Sequence, residues 1–569
     1  MVIFDFFLNL YFIFFIGLFF TDYSFLFSFL HNKFNFSFTD ISNISAQAPI
    51  FSMLLLIRWF MNKDSFLNIK FIKVVKNIGN LKDRTILLTI FSIFIFIFLS
   101  IGISRHLALS SSGIDLAVSD QSVWNTVKGN ILFSSLDGNI NHLGAHFEPI
   151  LFLIAPLYMI WPNISVLIIL QALALGIAIF PLYLIAKERL NSRILIFAFV
   201  FAYFLSRAVR GVGFLDFHTD SFLVPLIFSS FYFLVTKRTG WALFSLFAML
   251  LCKEDVTFLV SAFGIFLIFT QRRYKFGIFL LLVGISGWLV ITKSVMPYFA
   301  KSQNYPYLAW LPFGSTYQEN IRAVLANPLL LKGLFFGEGK IDFYLRLFGP
   351  LGFISFLSPA HYILFLIPLL EQIVGSIGHP GMQTITAHYP AHTVPFIFIA
   401  AIYGAGWLVD RLTKRGFAKR KVTIILSIYI IFISLLFFGK SDGHKFVKFL
   451  RGAREIRSKE IRSYLCLIPE SASVCAANNL IPHLSHRKYI YMWNGLNGFK
   501  YNTEYIVLYK DLLGQGSDDL PKILDILSQK GYKNAFSDKE QAFYILFNPK
   551  FDRAILEKQP AKIIPMVKY

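Results

Sequence analysis

Long apolar runs separated by short polar turns dominate the pattern along most of the chain. The clearest are Thr85–Ile103, Ile164–Ala186, Phe276–Ile291 with an extension to Met296, and Val422–Phe438. Each is close to the ~20 residues that a helix needs to cross ~30 Å of hydrocarbon. Lipid offers no partners for backbone polar groups, so such runs are predicted to be helical. The fold class expected is an all-α polytopic membrane protein with about 11–13 transmembrane helices.

Shorter apolar runs fill the intervals between these spans. Read as helices in chain order, they are Arg193–Ala208, Phe222–Thr236, Trp241–Cys252, Val256–Thr270, Phe343–Leu357, Pro359–Val374 and Pro390–Val409. Prolines interrupt the run Pro149–Trp161, which is therefore predicted to be a re-entrant or interfacial helix that lines a cavity. Near the start of the sequence, Val2–Phe20 lacks a cationic lead and a small-residue cleavage site, which predicts a retained helix. A shorter run, Ala48–Met61, follows it.

The charge balance is strongly basic, with 54 Lys and Arg against 32 Asp and Glu and a net charge of +22. In a soluble protein this balance would indicate a nucleic-acid partner. Here 56% of the residues are hydrophobic, and the basic residues crowd the turns between apolar runs, so they are read as cytoplasmic helix ends facing anionic lipid. The basic stretch Arg58–Arg84 then lies in the cytoplasm, the next helix runs outward, and the loop Ser104–Pro149 is extracytoplasmic.

The chain changes character after about Gly439, where hydrophobicity falls and charge rises. Short β-branched or aromatic runs at Ala472–Ala477 and Glu504–Tyr509, followed by helical spacing over Pro521–Gln529, predict a small C-terminal α/β extracytoplasmic domain. Three parts are expected: an N-terminal membrane extension with a basic cytoplasmic linker (residues 1–84), a transmembrane core (residues 85–438) and the C-terminal domain (residues 439–569).

The three cysteines, Cys252, Cys466 and Cys475, have no metal-binding spacing, which argues against a zinc site of the cysteine type. Cys466 and Cys475 both fall in the predicted outer domain. In an oxidising compartment they either pair or remain free thiols.

The loop Ser104–Pro149 holds more ionisable residues than any other loop in the apolar part. Asp115 and Asp120 lie on roughly helical spacing before Gly129, a pattern that predicts a short helix lying on the membrane. A carboxylate there that faces a cavity is placed to accept a proton from an attacking hydroxyl. The alternative is that both acids are helix-capping or solvated residues.

The same loop continues with His142, His146 and Glu148 just before Pro149. Two histidines four residues apart with a nearby carboxylate either bind a divalent metal, hold a phosphate when protonated, or form a hydrogen-bonded cluster. Gly144 and Pro149 argue against a regular helix across the pair.

Further polar residues occur where the other predicted outer loops meet helix ends. A Lys-Glu-Asp triplet directly after an apolar run is costly against lipid and is expected to face a polar cavity, where Lys253 would offset a phosphate charge. Arg210 and Arg207 are further anion-binding candidates, and a histidine at the start of the run Pro390–Val409 is either structural or catalytic. In the predicted topology these residues fall on one face together with the loop: Asp216, His218, Asp220, Lys253, Glu254, Asp255, His379, His388 and His392.

Six motifs in the same order resemble the bacterial and archaeal membrane proteins classed as domain of unknown function 2079. They are GIDLAVSDQSVWNTVKG, NHLGAHFEPILFLIAPLYMIWP, GFLDFHTDSFLVPLIF, LCKEDVTFLV, HYPAHTVPFIFIAAIYG and IPESASVCAANNLIPHLSHRKYIYMWN. The resemblance extends from about Thr85 to Tyr509. That family in turn resembles the GT-C glycosyltransferases, such as protein O-mannosyltransferases and arabinosyltransferases.

The resemblance implies a GT-C-like core with an acid in the first outer loop and a lipid-phosphate sugar donor. By position, Asp115 would be the catalytic acid or base, with Asp120 as the alternative, and His146 to Pro149 would stand at a membrane-parallel helix. Asp115 is followed by Leu116, where the family often has a second acid. Cofactor use is left open between no metal and a divalent Mg or Mn ion.

The function expected is transfer of a sugar from a polyprenyl-phosphate donor to an acceptor glycan, lipid or protein at the outer face of a prokaryotic cytoplasmic membrane. Lys253, Arg210, His142, His146 and His218 would hold the donor phosphate. One rival is a transporter or lipid flippase, for which Glu371 inside an apolar run is the supporting feature. Another is a non-catalytic scaffold. The polar block Asn478–Arg487 serves either acceptor recognition or packing.

Overall fold

The computed structural model describes residues 81–302, 305, 307, 311–314, 316–438, 441–493, 502–513 and 520–552, with the side chains of 317 and 441–446 excepted. The helices expected over Val2–Phe20 and Ala48–Met61, and most of the extension 1–84, lie outside the described residues. The described part is mainly helical, with several candidate membrane spans, and ends in a small α/β unit, which confirms the prediction of a helical membrane protein with a C-terminal α/β part.

The first half of the helical part follows the apolar runs closely. Its helices are α1 (Asp83–Leu107), α2 (Val118–Val127), α3 (Ile150–Ile160), α4 (Ser165–Ile177), α5 (Ile179–Arg189), α6 (Arg193–Leu205), α7 (Arg207–Phe214), α8 (Asp220–Val235), α9 (Thr239–Leu250), α10 (Val256–Phe269), α11 (Tyr274–Val290) and α12 (Met296–Ala300).

The second half has shorter helices before two long ones. They are α13 (Tyr317–Ala326), α14 (Leu330–Phe336), α15 (Lys340–Phe348), α16 (Tyr362–Gly375), α17 (Val394–Lys414) and α18 (Lys419–Leu436).

Two predicted segments differ from the structure. The run Phe343–Leu357 is not one helix: α15 ends at Phe348, and short 3-10 turns follow, because Pro350 and the positive-φ pair Gly352 and Phe353 interrupt regular helical geometry. The segment 210–220, which lies between the predicted helices Arg193–Ala208 and Phe222–Thr236, contains most of α7, which is bent by 43° from α6 at Ser206.

Four helical segments are long and apolar enough to cross a membrane, or five if the bent pair α6–α7 counts as one span. The four are Asp83–Leu107, Ser165–Arg189, Tyr274–Ala300 and Val394–Lys414. The remaining apolar helices have 10–17 residues each, among them α3, α8, α9 and α10. The described part of the chain therefore has the helix lengths of a polytopic membrane protein.

The two ends of the helical part differ in chemistry. At one end Arg193 Nε lies 2.6 Å from Asp83 Oδ1 at the start of α1, and Arg189 Nη2 lies 2.8 Å from Asp410 Oδ2. At the opposite end of α1, Arg105 reaches into a cluster of acids and histidines. These two ion pairs thus lie at the end of the helices opposite to that cluster, as the topology derived from the sequence predicts for their basic residues.

The α/β unit contains α19 (Ser441–Arg454), α20 (Ile456–Leu465) and α21 (Leu520–Gln529). The first two strands of the chain lie outside this unit, in loop 104–149, where β1 (Phe133–Ser134) and β2 (Ile140–Asn141) form a short hairpin. The strands of the unit are β3 (Val474–Ala476), β4 (Ile490–Met492), β5 (Tyr505–Tyr509), β6 (Lys533–Ser537) and β7 (Phe543–Phe547).

The five strands form one mixed sheet in the order β4-β3-β5-β7-β6, in which β3 is parallel to β4 and β5, and β7 is antiparallel to β5 and β6. Every residue of β3 is buried, so the centre of the sheet is covered on both faces. Cys475 lies in this buried strand, whereas Cys466 is exposed, and the two remain free thiols, which decides against the disulfide alternative.

Loop 104–149 rests on this α/β unit. Asn478 Oδ1 accepts a hydrogen bond from Gly113 N at 2.7 Å, and Ser135 Oγ both donates to Ile490 O and accepts from Ile490 N. Gln121 Nε2 donates to the carbonyl oxygens of Arg487 and Lys488. For the block Asn478–Arg487, these contacts support packing against the loop.

Candidate functional site

Loop 104–149 folds as a series of short elements rather than as one helix. After α1 ends at Leu107, a π-helical turn over Gly113–Ala117 carries Asp115, and α2 follows directly. Gly113 fits against the α/β unit with little space, since an added Cβ would lie 3.0 Å from Asn478 Oδ1 and from Ile481 Cβ. Single π-helical turns occur frequently at functional sites. The short helix predicted in this loop is therefore present, and Asp115 precedes it.

Asp115 contacts His218, whose ring is positioned by the backbone of a second acid, Asp216. His218 Nε2 lies 3.5 Å from Asp115 Oδ1, and His218 Nδ1 lies 2.9 Å from the backbone oxygen of Asp216. The Asp216 carboxylate accepts from Arg105 Nη2 at 3.0 Å and from Ser112 N at 2.8 Å. The Asp115 side chain is 39% exposed, against 16% for His218 and 3% for Asp216. The Asp115 carboxylate is thus accessible to a ligand, while His218 and Asp216 behind it are held in place by hydrogen bonds.

The Asp115–His218 pair controls the charge of both groups. Burial alone would raise the pKa of Asp115, but its interaction with His218 outweighs burial and holds the pKa below the usual range of an aspartate. Burial alone would lower the pKa of His218, but Asp115 and then Asp220 raise it to about 9. At neutral pH the pair is therefore a carboxylate beside an imidazolium.

Lys253 and Asp220 form a second buried group beside the first. Asp220 Oδ1 lies 2.6 Å from His392 Nε2 and 3.4 Å from Lys253 Nζ. The Asp220 side chain is 1% exposed. Lys253 Nζ also lies 5.8 Å from the centre of the Tyr389 ring. A lysine buried among carboxylates keeps its charge only where such partners compensate for lost solvation.

Histidine stacking connects these two groups. The rings of His218 and His388 stack at 3.9 Å, and His388 in turn contacts the ring of Tyr389 at the same distance. His388 and His392 flank the 3-10 turn Tyr389–Ala391 just before α17, so this turn connects Asp115 to Lys253 through aromatic contacts.

His146 and Glu254 bring in a segment between α12 and α13. His146 Nδ1 lies 3.1 Å from Glu254 Oε1, and its Nε2 lies 2.6 Å from the Tyr307 hydroxyl. Glu254 Oε2 accepts from Phe147 N at 3.0 Å. The predicted loop histidine and the predicted triplet acid are thus direct partners.

His142 is enclosed by two carboxylates. Its Nδ1 lies 2.8 Å from Asp137 Oδ2, its Nε2 lies 3.2 Å from Glu148 Oε2, and Thr219 Oγ1 donates to the other Glu148 oxygen. The His142 side chain is 3% exposed. With both ring nitrogens engaged by carboxylates, His142 is placed to brace the loop against α8, and the hydrogen-bonded cluster is the arrangement present.

This enclosure predicts a pH-dependent contribution to stability. Burial alone would lower the pKa of His142, but Asp137 and Glu148 raise it to about 10. A pKa raised above the unfolded value of ~6.5 contributes stability fully below pH ~6.5 and loses it as the pH rises through about 10. His142→Gln is therefore expected to lower stability by about 1–3 kcal/mol near pH 6.5, with the gap to wild type shrinking towards pH 10.

Thermal unfolding in detergent between pH 6.5 and 10 measures that gap. His379→Gln is the matched control, because burial and Lys253 lower the pKa of His379, so its charge does not change in this range. A gap for His142→Gln that stays constant or widens with pH would contradict the paired, protonated His142.

Asp120 occupies a different position from Asp115. It is 0% exposed, and it accepts hydrogen bonds from Tyr158 at 2.6 Å and Ser485 at 2.5 Å, while His486 Nε2 lies 3.2 Å away. These partners belong to α3 and to the α/β unit. The Asp120 carboxylate therefore ties loop 104–149 to both neighbours.

Arg210, one of the predicted anion-binding residues, lies on α7. Its guanidinium stacks over the Phe438 ring, 3.6 Å from the ring centre, and donates to the Phe438 backbone oxygen. In this arrangement Arg210 holds the end of α18 against α7.

For several residues that contact the site, nothing in the sequence clearly indicates that they would do so. Arg105 is the last basic residue of an apolar helix, and Tyr307 lies in a long segment of mixed polarity. Asn478, Ser485 and His486 lie more than 300 residues beyond their partners. Tyrosines in a polar loop that faces a cluster of histidines are the one feature that could have pointed to Tyr307.

The acids, histidines and lysine described above bring three kinds of chemical group together: an accessible carboxylate, fixed positive charges and a set of closely spaced donor atoms. Asp115 offers an exposed, ionised carboxylate, and Lys253 with His218 supplies positive charge nearby. A third group, Asp255, Glu371 and His392, brings together donor atoms that all lie within 4.8 Å of one another. An acid able to accept a proton beside groups able to stabilise an anion is the arrangement required for group transfer to a hydroxyl.

Comparison with known proteins identifies a family. The family described as predicted membrane protein (DUF2079) matches residues 105–535, which is well over half of the chain. This range includes loop 104–149 almost entirely, the helical part after α1 and most of the α/β unit. No curated protein matches the chain.

Two solved structures are similar in overall shape. ArnT from Cupriavidus metallidurans bound to undecaprenyl phosphate aligns over 82% of this chain and 99% of its own, with 11% identity and a TM-score of 0.48. The apo state of the same protein aligns over 82% of this chain and 97% of its own, with 12% identity and a TM-score of 0.46.

Proposed function

The chain belongs to the DUF2079 family of predicted membrane proteins, and we propose that it is an integral membrane glycosyltransferase. It transfers a sugar from a polyprenyl-phosphate donor to a hydroxyl of an acceptor at the extracytoplasmic face. The acceptor is a glycan, a lipid or a protein.

The exposure of the Asp115 side chain is the main support for a catalytic carboxylate at this site. Its side chain is 39% exposed, whereas Asp216, Asp220, Glu254 and Asp255 next to it are between 1% and 14% exposed. Of these five carboxylates, Asp115 is the one most open to an incoming substrate. His218 keeps it ionised, so it can accept a proton.

The reaction is a single displacement at the anomeric carbon of the donor sugar. Asp115 accepts the proton of the acceptor hydroxyl as its oxygen forms a bond to that carbon. The bond from the anomeric carbon to the phosphate oxygen breaks, and the polyprenyl phosphate leaves with the bonding electron pair. Atoms and charge balance without a redox partner.

Positive charge near Asp115 stabilises the departing phosphate. Lys253 is 8% exposed and His218 is 16% exposed, and both reach the same network as Asp115. Fixed cations in a partly buried site stabilise developing negative charge more strongly than they would in water. His146 contributes through Glu254 and Tyr307, which orient it.

A lipid-facing surface begins beside the site. Helix α3 starts after Glu148, and its Ile150 N donates to Leu251 O at 2.9 Å, immediately before Lys253. Phe152, Leu153, Met159 and Ile160 on α3 are 50–84% exposed. An apolar surface that starts at a phosphate-binding group suits a donor with a long prenyl tail.

The feature that supported a transporter fits this enzyme equally well. Glu371 lies near the end of α16, with its carboxylate beside Asp255 and His392 at the site. Transport pathways place ionisable groups near mid-membrane on broken helices, whereas this one gathers with the acids of the outer turns.

Donor binding tests the proposal before any acceptor is known. The full-length protein in lipid nanodiscs is titrated with polyprenyl phosphate, with polyprenol and inorganic phosphate as separate controls. Saturable binding of polyprenyl phosphate, at least tenfold tighter than either control, is expected, because phosphate and tail contribute together. Equal binding of polyprenol would contradict a phosphate site.

A further inference from the structure

Three side chains from three different parts of the chain converge beside Lys253. Asp255 precedes α10, Glu371 lies on α16 and His392 precedes α17. One donor atom from each lies within 4.8 Å of the other two. Ligand bonds of ~2.0–2.6 Å allow two ligands of one divalent ion to lie up to about 5 Å apart, so the three atoms are close enough to bind one ion.

One oxygen of each carboxylate lacks a hydrogen-bond partner in the part of the chain that the structure describes. Asp255 Oδ1 and Glu371 Oε2 are buried there without a hydrogen bond. Asp220, whose side chain is 1% exposed, also has a buried oxygen, Oδ2, without a hydrogen bond among the described residues. Buried carboxylate oxygens need a compensating donor or cation.

The orientation of His392 is an independent observation that points to a cation. Its Nε2 lies 2.6 Å from Asp220 Oδ1, so the proton on this nitrogen is assigned from that short contact. In the neutral imidazole the other nitrogen, Nδ1, then carries a lone pair, and it lies 3.9 Å from Asp255 Oδ2, which is too long for a hydrogen bond. An imidazole that donates one N–H to a carboxylate and directs its lone pair towards further oxygens has the arrangement of a metal ligand.

The local charge balance favours the same conclusion. Asp220, Asp255 and Glu371 bring three carboxylates around one lysine, Lys253, while Glu254 pairs with His146. A divalent cation between Asp255 and Glu371 would compensate the charge of these two carboxylates when both are ionised.

We infer that Asp255, Glu371 and His392 form a divalent metal site, with Mn²⁺ as its best-suited ion. Two carboxylate oxygens favour a hard cation, and the imidazole nitrogen favours Mn²⁺ over Mg²⁺, which prefers oxygen ligands alone. Three protein ligands leave coordination positions for water or for a phosphate oxygen. That the donor phosphate takes such a position rests on the proposed function; the metal site itself does not.

Metal binding by the purified full-length protein tests the inference. Protein stripped with EDTA is dialysed against Mn²⁺ alone, and bound metal is measured by mass spectrometry. One Mn²⁺ per chain is expected for wild type. Glu371→Gln and Asp255→Asn preserve side-chain shape and are each expected to lower the affinity at least tenfold, as loss of a direct ligand does.

Asp137→Asn is the matched control, since it removes a carboxylate from the neighbouring His142 cluster without touching the three donors. Its affinity for Mn²⁺ is expected to equal that of wild type. Thermal unfolding of each stripped variant reports whether it is folded. A Mn²⁺-dependent rise in the unfolding temperature is expected for wild type and Asp137→Asn and is lost in the two ligand variants.

Wild-type protein that retains no Mn²⁺, or a Glu371→Gln variant that binds it as wild type does, would overturn the metal site and indicate a proton shared between Asp255 and Glu371. The same dialysis against Zn²⁺ measures selectivity, and Zn²⁺ bound while Mn²⁺ is not would overturn the choice of ion. Donor binding by stripped protein, without Mn²⁺ uptake, would remove the metal site and leave the proposed function standing.

Discussion

Asp115→Asn is expected to lower the rate of sugar transfer by about 10²- to 10⁴-fold, the range that general-base catalysis contributes. Asparagine keeps the shape of the side chain but cannot accept the proton of the acceptor hydroxyl. Because Asp115 acts on the acceptor, donor binding is expected to change little, so the loss falls on kcat. The measurement is initial transfer rate at saturating donor, with donor affinity determined separately.

His218→Gln is the informative companion variant. It removes the imidazolium 3.5 Å from Asp115 but leaves the carboxylate in place. A loss smaller than that of Asp115→Asn is expected. Transfer by Asp115→Asn within threefold of wild type would contradict the assignment of Asp115 as the base.

Asp120→Ala is expected to have the largest effect on stability, lowering it by about 3–5 kcal/mol. The substitution leaves the Tyr158 hydroxyl, the Ser485 hydroxyl and His486 without their shared acceptor in a buried place. Each buried polar group left unsatisfied costs about 1–3 kcal/mol. Thermal unfolding in detergent measures the loss, and Ser485→Ala, which removes one of the three donors, is expected to show a smaller one.

Variants at Asp115 and Asp120 distinguish a catalytic role from a structural one. Asp115→Asn is expected to leave the unfolding temperature close to that of wild type, whereas Asp120→Ala lowers it. A variant at Asp120 that remains as stable as wild type while losing all transfer would instead favour Asp120 as the catalytic acid or base.

Helix positions in the apolar part follow from the sequence because lipid forces backbone polar groups to bond within one segment. The runs around α1, α8, α10 and α17 therefore agree with the structure to within a few residues. The prediction over Phe343–Leu357 is wrong, since composition alone does not register that Pro350 and Gly352 break the backbone geometry.

The gathering of the site residues at one end also followed from sequence, because basic turns fixed the direction of each helix. Which of these residues contact each other could not be predicted from the sequence. Asp115 faces His218, and Glu254 faces His146, because α8 and α9 bring distant turns together. Tertiary packing of this kind has no periodic signal along the chain.

The role of the α/β unit was the least predictable part. The block Asn478–Arg487 supplies Asn478 to the turn that carries Asp115, and Ser485 to Asp120. Those partners are separated by 365 residues in each case. Contacts of such sequence separation depend on the complete fold, so composition indicated a polar block but not its partner.

Sugar transfer by the wild-type protein is the decisive measurement for a glycosyltransferase that uses Asp115. Full-length protein in liposomes is given a panel of radiolabelled polyprenyl-phosphate sugars with membrane extract as acceptor, beside Asp115→Asn as the baseline. At least one donor is expected to release its sugar to an acceptor, and Asp115→Asn is expected to lower this release by about 10²-fold or more. Release from no donor in the panel, or equal release by both proteins, would contradict a glycosyltransferase centred on Asp115.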